Sequence, residues 1–209
     1  MVRNKKPSFA KTKNDLPHFF ANPKGSHPDF CFGVLRRHFS DRVNSAAEFG
    51  RRKCRPGMRS GAGWEVTAVR SDVVLPVGAF DDLRDPQLLL ERFDREALLF
   101  KEALLVCVTL RFPQTPQLHL AWESARVFAL EAFARRRGLA TLVVQHAPHL
   151  LGSDSPPHVH LLVVPRRLTT LGYGQYDDAI TCDDGQTLVH KEWLAHVARS
   201  KVGTGGGFS

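Results

Sequence analysis

The stretch Leu142–Arg167, LVVQHAPHLLGSDSPPHVHLLVVPRR, decides the fold. Its apolar parts, Leu139 to His146 and His158 to Val164, are short and β-branched, and the loop between them is rich in Gly, Ser, Asp and Pro. The pattern predicts a β-hairpin with histidines at its mouth. Side chains alternate along a strand, so His158 and His160 emerge on one face and Val159 on the other. Pairing through the loop Ala147 to Pro157 adds His146 to them. Three neutral imidazoles offer one lone pair each, a facial set suited to a divalent cation. The bland alternative is a polar strand end with its rings in water, against which three titratable groups on apolar strands weigh. His149, inside the loop, competes with His146 for the third position; His146 is in strand phase with Val144.

Upstream, Phe30 to Leu35 is a candidate first strand, and Ser45 to Lys53 a short helix capped at Asn44 or Ser45. Trp64 to Val69 and Val73 to Val77 are candidate strand pieces. Asp85-Pro86 opens a helical pattern with Leu88, Leu89, Phe93, Leu98 and Leu99 on one face. Leu104 to Phe112 is a central strand. Pro116 to Arg137 is a helix with Leu120, Val127, Leu130 and Phe133 on its apolar side, closed by Gly138. Downstream, a helix is expected over Lys191 to Arg199. Strands and helices without regular alternation predict an α+β domain, mainly an antiparallel sheet with helices on one face. It would span residues 29–200, between a disordered basic tail (1–28) and a flexible glycine-rich tail (201–209).

The chain has 209 residues, 43% of them hydrophobic, enough for one real core. No apolar run of about 18 residues predicts a membrane span, and no leading apolar segment predicts secretion. Cys31, Cys54, Cys107 and Cys182 are scattered, as in a cytoplasmic protein with reduced thiols. The net charge is +8 and the pI about 9.7. Basic clusters at Arg3 to Lys6, Arg36-Arg37, Arg51 to Arg55, Arg135 to Arg137 and Arg166-Arg167 favour a polyanionic partner with a phosphate backbone. The triplet at 135–137 also has a structural explanation, since cations suit the last turn of a helix.

The segment His146-Ala-Pro through Pro157-His158-Val159-His160-Leu161-Leu162, followed by Arg166, resembles the histidine motif of the MobA/MobL-type plasmid mobilisation relaxases, within the endonucleases that carry a His-hydrophobic-His motif. Leu99-Phe100-Lys101-Glu102 with the following strand and helix, and the turn Gly172-Tyr173-Gly174, are similar to other parts of that family. Asn44-Ser45-Ala46-Ala47-Glu48-Phe49-Gly50-Arg51 resembles its first helix, where the nucleophilic tyrosine belongs.

The resemblance implies a relaxase-like α+β fold and the nicking of one DNA strand at a plasmid transfer origin. A cation held by His146, His158 and His160 would polarise the scissile phosphate, and a tyrosine oxygen would attack it. Manganese, magnesium and zinc are the candidate ions, imidazoles suiting the first and last better. Single-stranded DNA is the implied partner, with Arg51, Arg52, Arg166 and Arg167 as phosphate contacts, and accessory mobilisation proteins beside it. Phe49 occupies the nucleophile position and has no oxygen to attack with. Tyr173 and Tyr176, the chain's two tyrosines, are the available substitutes. Alternatively water is the nucleophile, or the protein is a catalytically degenerate DNA-binding module; a shortened copy of a longer relaxase is a further reading. A three-histidine metal hydrolase of a small molecule is the third class.

Overall fold

The computed structural model describes residues 20–21, 27–39, 42–56, 63–113, 117–182 and 184–204. In chain order the elements are β1 (Phe20–Ala21), β2 (Phe30–Arg36), the small hairpin β3 (His38–Phe39) and β4 (Arg42–Val43), α1 (Ala46–Cys54), β5 (Arg70–Val74), α2 (Pro86–Glu96), β6 (Ala103–Arg111), α3 (Leu118–Phe128), β7 (Leu139–His146), β8 (His158–Thr169), β9 (Gly172–Tyr176), α4 (Asp178–Thr181) and α5 (Gly185–Thr204). Of the expected basic tail (1–28) only residues 20–21 and 27–28 are among the described residues; residues 205–209 of the expected glycine-rich tail lie outside them. The main sheet runs β1-β2-β6-β8-β7-β5, with β9 added to the far end of β8, and every pairing is antiparallel.

The α+β class and the antiparallel sheet are as the sequence predicts, but helices cover both faces rather than one. Strands β6, β7 and β8 are apolar in nearly continuous runs, so both of their faces need cover. Val106, Val108, Leu110, Val159, Leu161 and Val163 pack with Trp122, Phe128, Phe133 and Trp193 of the α3 and α5 side. Leu105, Cys107, Leu142, Val144, Leu162 and Val164 pack with Ala46, Phe49, Leu89, Leu90 and Phe93 of α1 and α2. The histidine phase of β8 belongs to this second face.

Other departures are local. Trp64 to Val69 makes no strand; Thr67 and Ala68 donate their amides to Cys54 O beyond the end of α1. Helix α2 stops at Glu96, leaving Leu99 exposed. Helix α3 continues as a π-helical stretch, Ala129–Arg135, and buries Ala121, Trp122, Ala125, Phe128, Ala129, Ala132 and Phe133, while Leu120 is 51% exposed. Alanines let the helix approach the sheet closely, which the larger aliphatics would prevent. Helix α5 begins at Gly185 and continues past Arg199 to Thr204.

Helix α1 is fixed at both ends. Ser45 Oγ accepts from Glu48 N at 3.1 Å and donates to Asp94 at 2.7 Å, and the same carboxylate accepts the amides of Ala46 and Ala47 at 2.9 Å each. An anion at the positive end of the helix is the favourable arrangement. Gly50 lets α1 settle on α2, since a Cβ there would overlap Leu90. Face and register follow: α1 lies over the second face of the sheet with its C-terminus at the mouth of the β7–β8 hairpin.

Candidate metal centre

In the hairpin register His146 lies directly opposite His158, and His160 opposite Val144, so the three rings share one face and one end of the sheet. Their ring centroids are 4.8–5.2 Å apart in pairs, and one ligating atom from each lies within 4.8 Å of the other two. Among the described residues no other group of three or more histidines, cysteines or carboxylates is arranged this way. His149 sits exposed in a short 3-10 turn of the loop, outside the cluster.

The outer nitrogen of each ring has its own partner. His146 Nε2 lies 2.6 Å from Lys53 O and His158 Nδ1 lies 3.0 Å from Pro156 O. A carbonyl only accepts, so both nitrogens carry the proton, leaving Nδ1 of His146 and Nε2 of His158 with the lone pairs. His160 Nδ1 meets Thr109 Oγ1 at 2.9 Å, and its Nε2 faces the Lys53 ammonium at 3.5 Å. An ammonium only donates, so Nε2 holds the lone pair there.

All three imidazoles are held in their neutral form. Burial comes first for each: it pushes His146 down to about 4, lowers His158, and takes His160 well below its ordinary value. The Lys53 charge lowers each of them further, and that of Arg111 lowers His158 and His160. Neutral rings, each with a ligating atom within 4.8 Å of the other two, make a donor set that fits a divalent ion. Helix α1 adds to this, because its carbonyl end, where partial negative charge collects, abuts the cluster through Lys53 O.

Phe49 is buried on the inner side of α1, one turn before Lys53, whose Nζ lies 5.4 Å from its ring centroid. The aromatic side chain therefore borders the histidine cluster. Arg52, on the same helix, pairs with Glu48 at 3.1 Å, and Arg51 is half-buried in the last turn. Lys53, Thr109 and Arg111 were not singled out in the sequence; their partners lie in distant segments, and only the basic run at 51–55 hinted at the first.

The other expected site residues lie elsewhere. Arg166 is six residues beyond His160 along β8, a separation of about 20 Å. It is 7% exposed, and its guanidinium donates to Gly174 O, Glu96 O and Tyr173 O at 2.7–2.9 Å. That arginine ties β9 and the end of α2 to the sheet through these three carbonyls. Tyr173 and Tyr176 flank it, each ring centroid 5.6 Å from the guanidinium carbon. Tyr173 donates its hydroxyl to Leu89 O at 3.0 Å, and burial raises both phenols above their ordinary pKa. Both tyrosines lie beside Arg166 at the end of β8 away from the histidines. Arg167 is exposed at that same far end, beside Arg135 to Arg137. Glu102 accepts from the His38 amide at 3.0 Å and lies 3.0 Å from its ring nitrogen, away from the cluster.

No protein-family model matches the chain, and neither does any curated protein. Among solved structures it superposes on one described as the molecular basis of vancomycin resistance transfer in Staphylococcus aureus, with a TM-score of 0.52 and 18% identity over 65% of this chain and 72% of that one. A second is the conjugative relaxase TrwC in complex with oriT DNA, metal-bound, at a TM-score of 0.46 and 12% identity over 86% of this chain and 72% of that one. The chain has a relaxase-like fold.

The relaxase-like fold sets the frame, and the chemistry has to be read from the side chains it carries. In this frame the three histidines stand together on the central hairpin, with a phenylalanine on the neighbouring helix. No helix among the described residues is long and apolar enough to cross a membrane.

Proposed function

We propose that residues 29–200 form a DNA-handling unit of plasmid mobilisation or conjugative transfer, working in the cytoplasm. It engages single-stranded DNA of a transfer origin through a divalent ion held by His146, His158 and His160. The observation that carries this is the cluster itself: three neutral imidazoles with ligating atoms within 4.8 Å, two of them fixed in tautomer by main-chain carbonyls. A bound divalent ion supplies Lewis acidity and gathers the phosphate oxygens. Manganese or zinc suits this donor set better than magnesium.

The chain's own residues supply the rest. Lys53 and Arg111 place positive charge around the cluster, and Arg51 at the end of α1 extends it, which favours a phosphate backbone. With Phe49 bordering the cluster and both tyrosines held at the far end of β8, no phenol is within reach of a bound phosphate. The protein therefore forms no phosphotyrosyl link, and we read it as a binding member of the relaxase fold. Accessory mobilisation proteins would act with it at the origin.

Hydrolytic nicking is the second reading. Three protein ligands leave coordination positions for substrate and solvent, so water can serve as nucleophile without a covalent intermediate. Labelled single-stranded DNA incubated with the protein and Mn²⁺, and run on a denaturing gel with and without protease, separates these outcomes. Intact DNA that shifts on a native gel supports the binding reading. Free cleaved ends that require His158 and His160 support hydrolysis. A protease-sensitive covalent adduct overturns both.

A further inference from the structure

Lys53 touches the histidine cluster twice. Its carbonyl accepts from His146 Nε2 at 2.6 Å, and its ammonium stands 3.5 Å from His160 Nε2. The first contact anchors the backbone of α1 to the hairpin. The second places a positive charge against the one His160 nitrogen left to bind a cation. The ammonium also lies near the Phe49 ring, 5.4 Å from its centroid, in a niche between helix and hairpin.

We propose that Lys53 and a divalent ion compete for the lone pair of His160, and that the displaced ammonium then becomes a ligand for the DNA phosphate. A divalent ion bound by the three imidazoles and an ammonium 3.5 Å from one of them repel strongly in a half-buried site. The lysine side chain can relieve this, because its four-carbon stem swings while its backbone carbonyl stays bonded to His146. It is a compact cationic donor, and a phosphate at the metal would draw it outward. Metal and DNA thus bind cooperatively, each paying part of the cost of moving Lys53.

This inference rests on the three histidines being a metal site, and the test keeps the two apart. Mn²⁺ is titrated into the wild-type protein, Lys53→Met, Lys53→Gln and the double variant His158→Ala/His160→Ala, with free Mn²⁺ followed by electron paramagnetic resonance and folding checked by circular dichroism. The expected result is about tenfold tighter Mn²⁺ binding by both Lys53 variants than by the wild type, and none at this site in the double variant. Adding a short oligothymidylate then tightens Mn²⁺ binding by the wild type more than by Lys53→Met. Equal or weaker Mn²⁺ binding by the folded Lys53 variants overturns the competition. Absence of Mn²⁺ binding by every form, the wild type included, overturns the metal site and the competition with it.

Discussion

Substituting Arg166 with Met distinguishes a structural strut from a DNA contact. The change keeps most of the aliphatic stem and removes the charge and every donor. In the native fold the guanidinium serves three main-chain carbonyls, Gly174 O, Glu96 O and Tyr173 O, and faces two tyrosine rings. Hydrogen bonds from a charged donor contribute about 1.5–3 kcal/mol each, and they are not additive when one group makes all three. The carbonyls left behind belong to half-buried Tyr173 and to exposed Gly174 and Glu96, so water replaces part of what they lose. The loss should come to about 3–5 kcal/mol, a large fraction of the stability of a domain this size. Urea denaturation followed by circular dichroism measures it as a lower midpoint at unchanged slope. If Arg166 instead contacts phosphate, the variant keeps its midpoint, and the slope of log affinity for single-stranded DNA against log salt falls by about 0.7. An unchanged midpoint with that reduced salt slope would refute the structural role.

Three further outcomes are expected. The metal-free protein should lose stability on acidification: His146 titrates near 6.5 unfolded and about 4 folded, so the unfolded state gains the proton first, and stability falls by up to about 3 kcal/mol between pH 6.5 and 4. Chemical denaturation across that window checks this, and the dependence should shrink in His146→Gln. Asp94→Ala removes the acceptor of Ser45 Oγ and of two amides at the start of α1, and should lower stability by about 1–3 kcal/mol in a urea melt, with weaker Mn²⁺ binding as α1 loosens over the hairpin. Gly50→Ala inserts a methyl against Leu90 and should cost about 1–3 kcal/mol in the same melt.

The hairpin and its histidines were legible because strand phase is local: alternation alone puts His158 and His160 on one face, and two β-branched runs around a turn-rich loop bring His146 across. Helix α1 was legible for the same reason, through the Ser45 cap. Helix placement was not. Near-continuous apolar runs such as Leu104 to Val108 show that a strand is buried on both faces, yet an order of elements without regular alternation suggested cover on one. Side-chain size misled in α3, where the bulky Leu120 and Val127 face outward and a row of alanines packs inward. The fates of Arg166 and Lys53 were beyond local reading. A basic residue after an apolar strand looks solvated until its acceptors are known, and here they come from Glu96 and the β9 strand. Lys53 lies 93 and 107 residues from the two histidines it meets.

The most direct measurement of the central claim is fluorescence anisotropy of a labelled single-stranded oligonucleotide titrated with protein, in Mn²⁺ and in chelator, for the wild type and for His158→Ala/His160→Ala. The account predicts that Mn²⁺ tightens binding by the wild type and leaves the double variant unchanged, since three imidazoles converge on one ion there and one does not hold it. Equal affinity in Mn²⁺ and chelator for the folded wild type would contradict it.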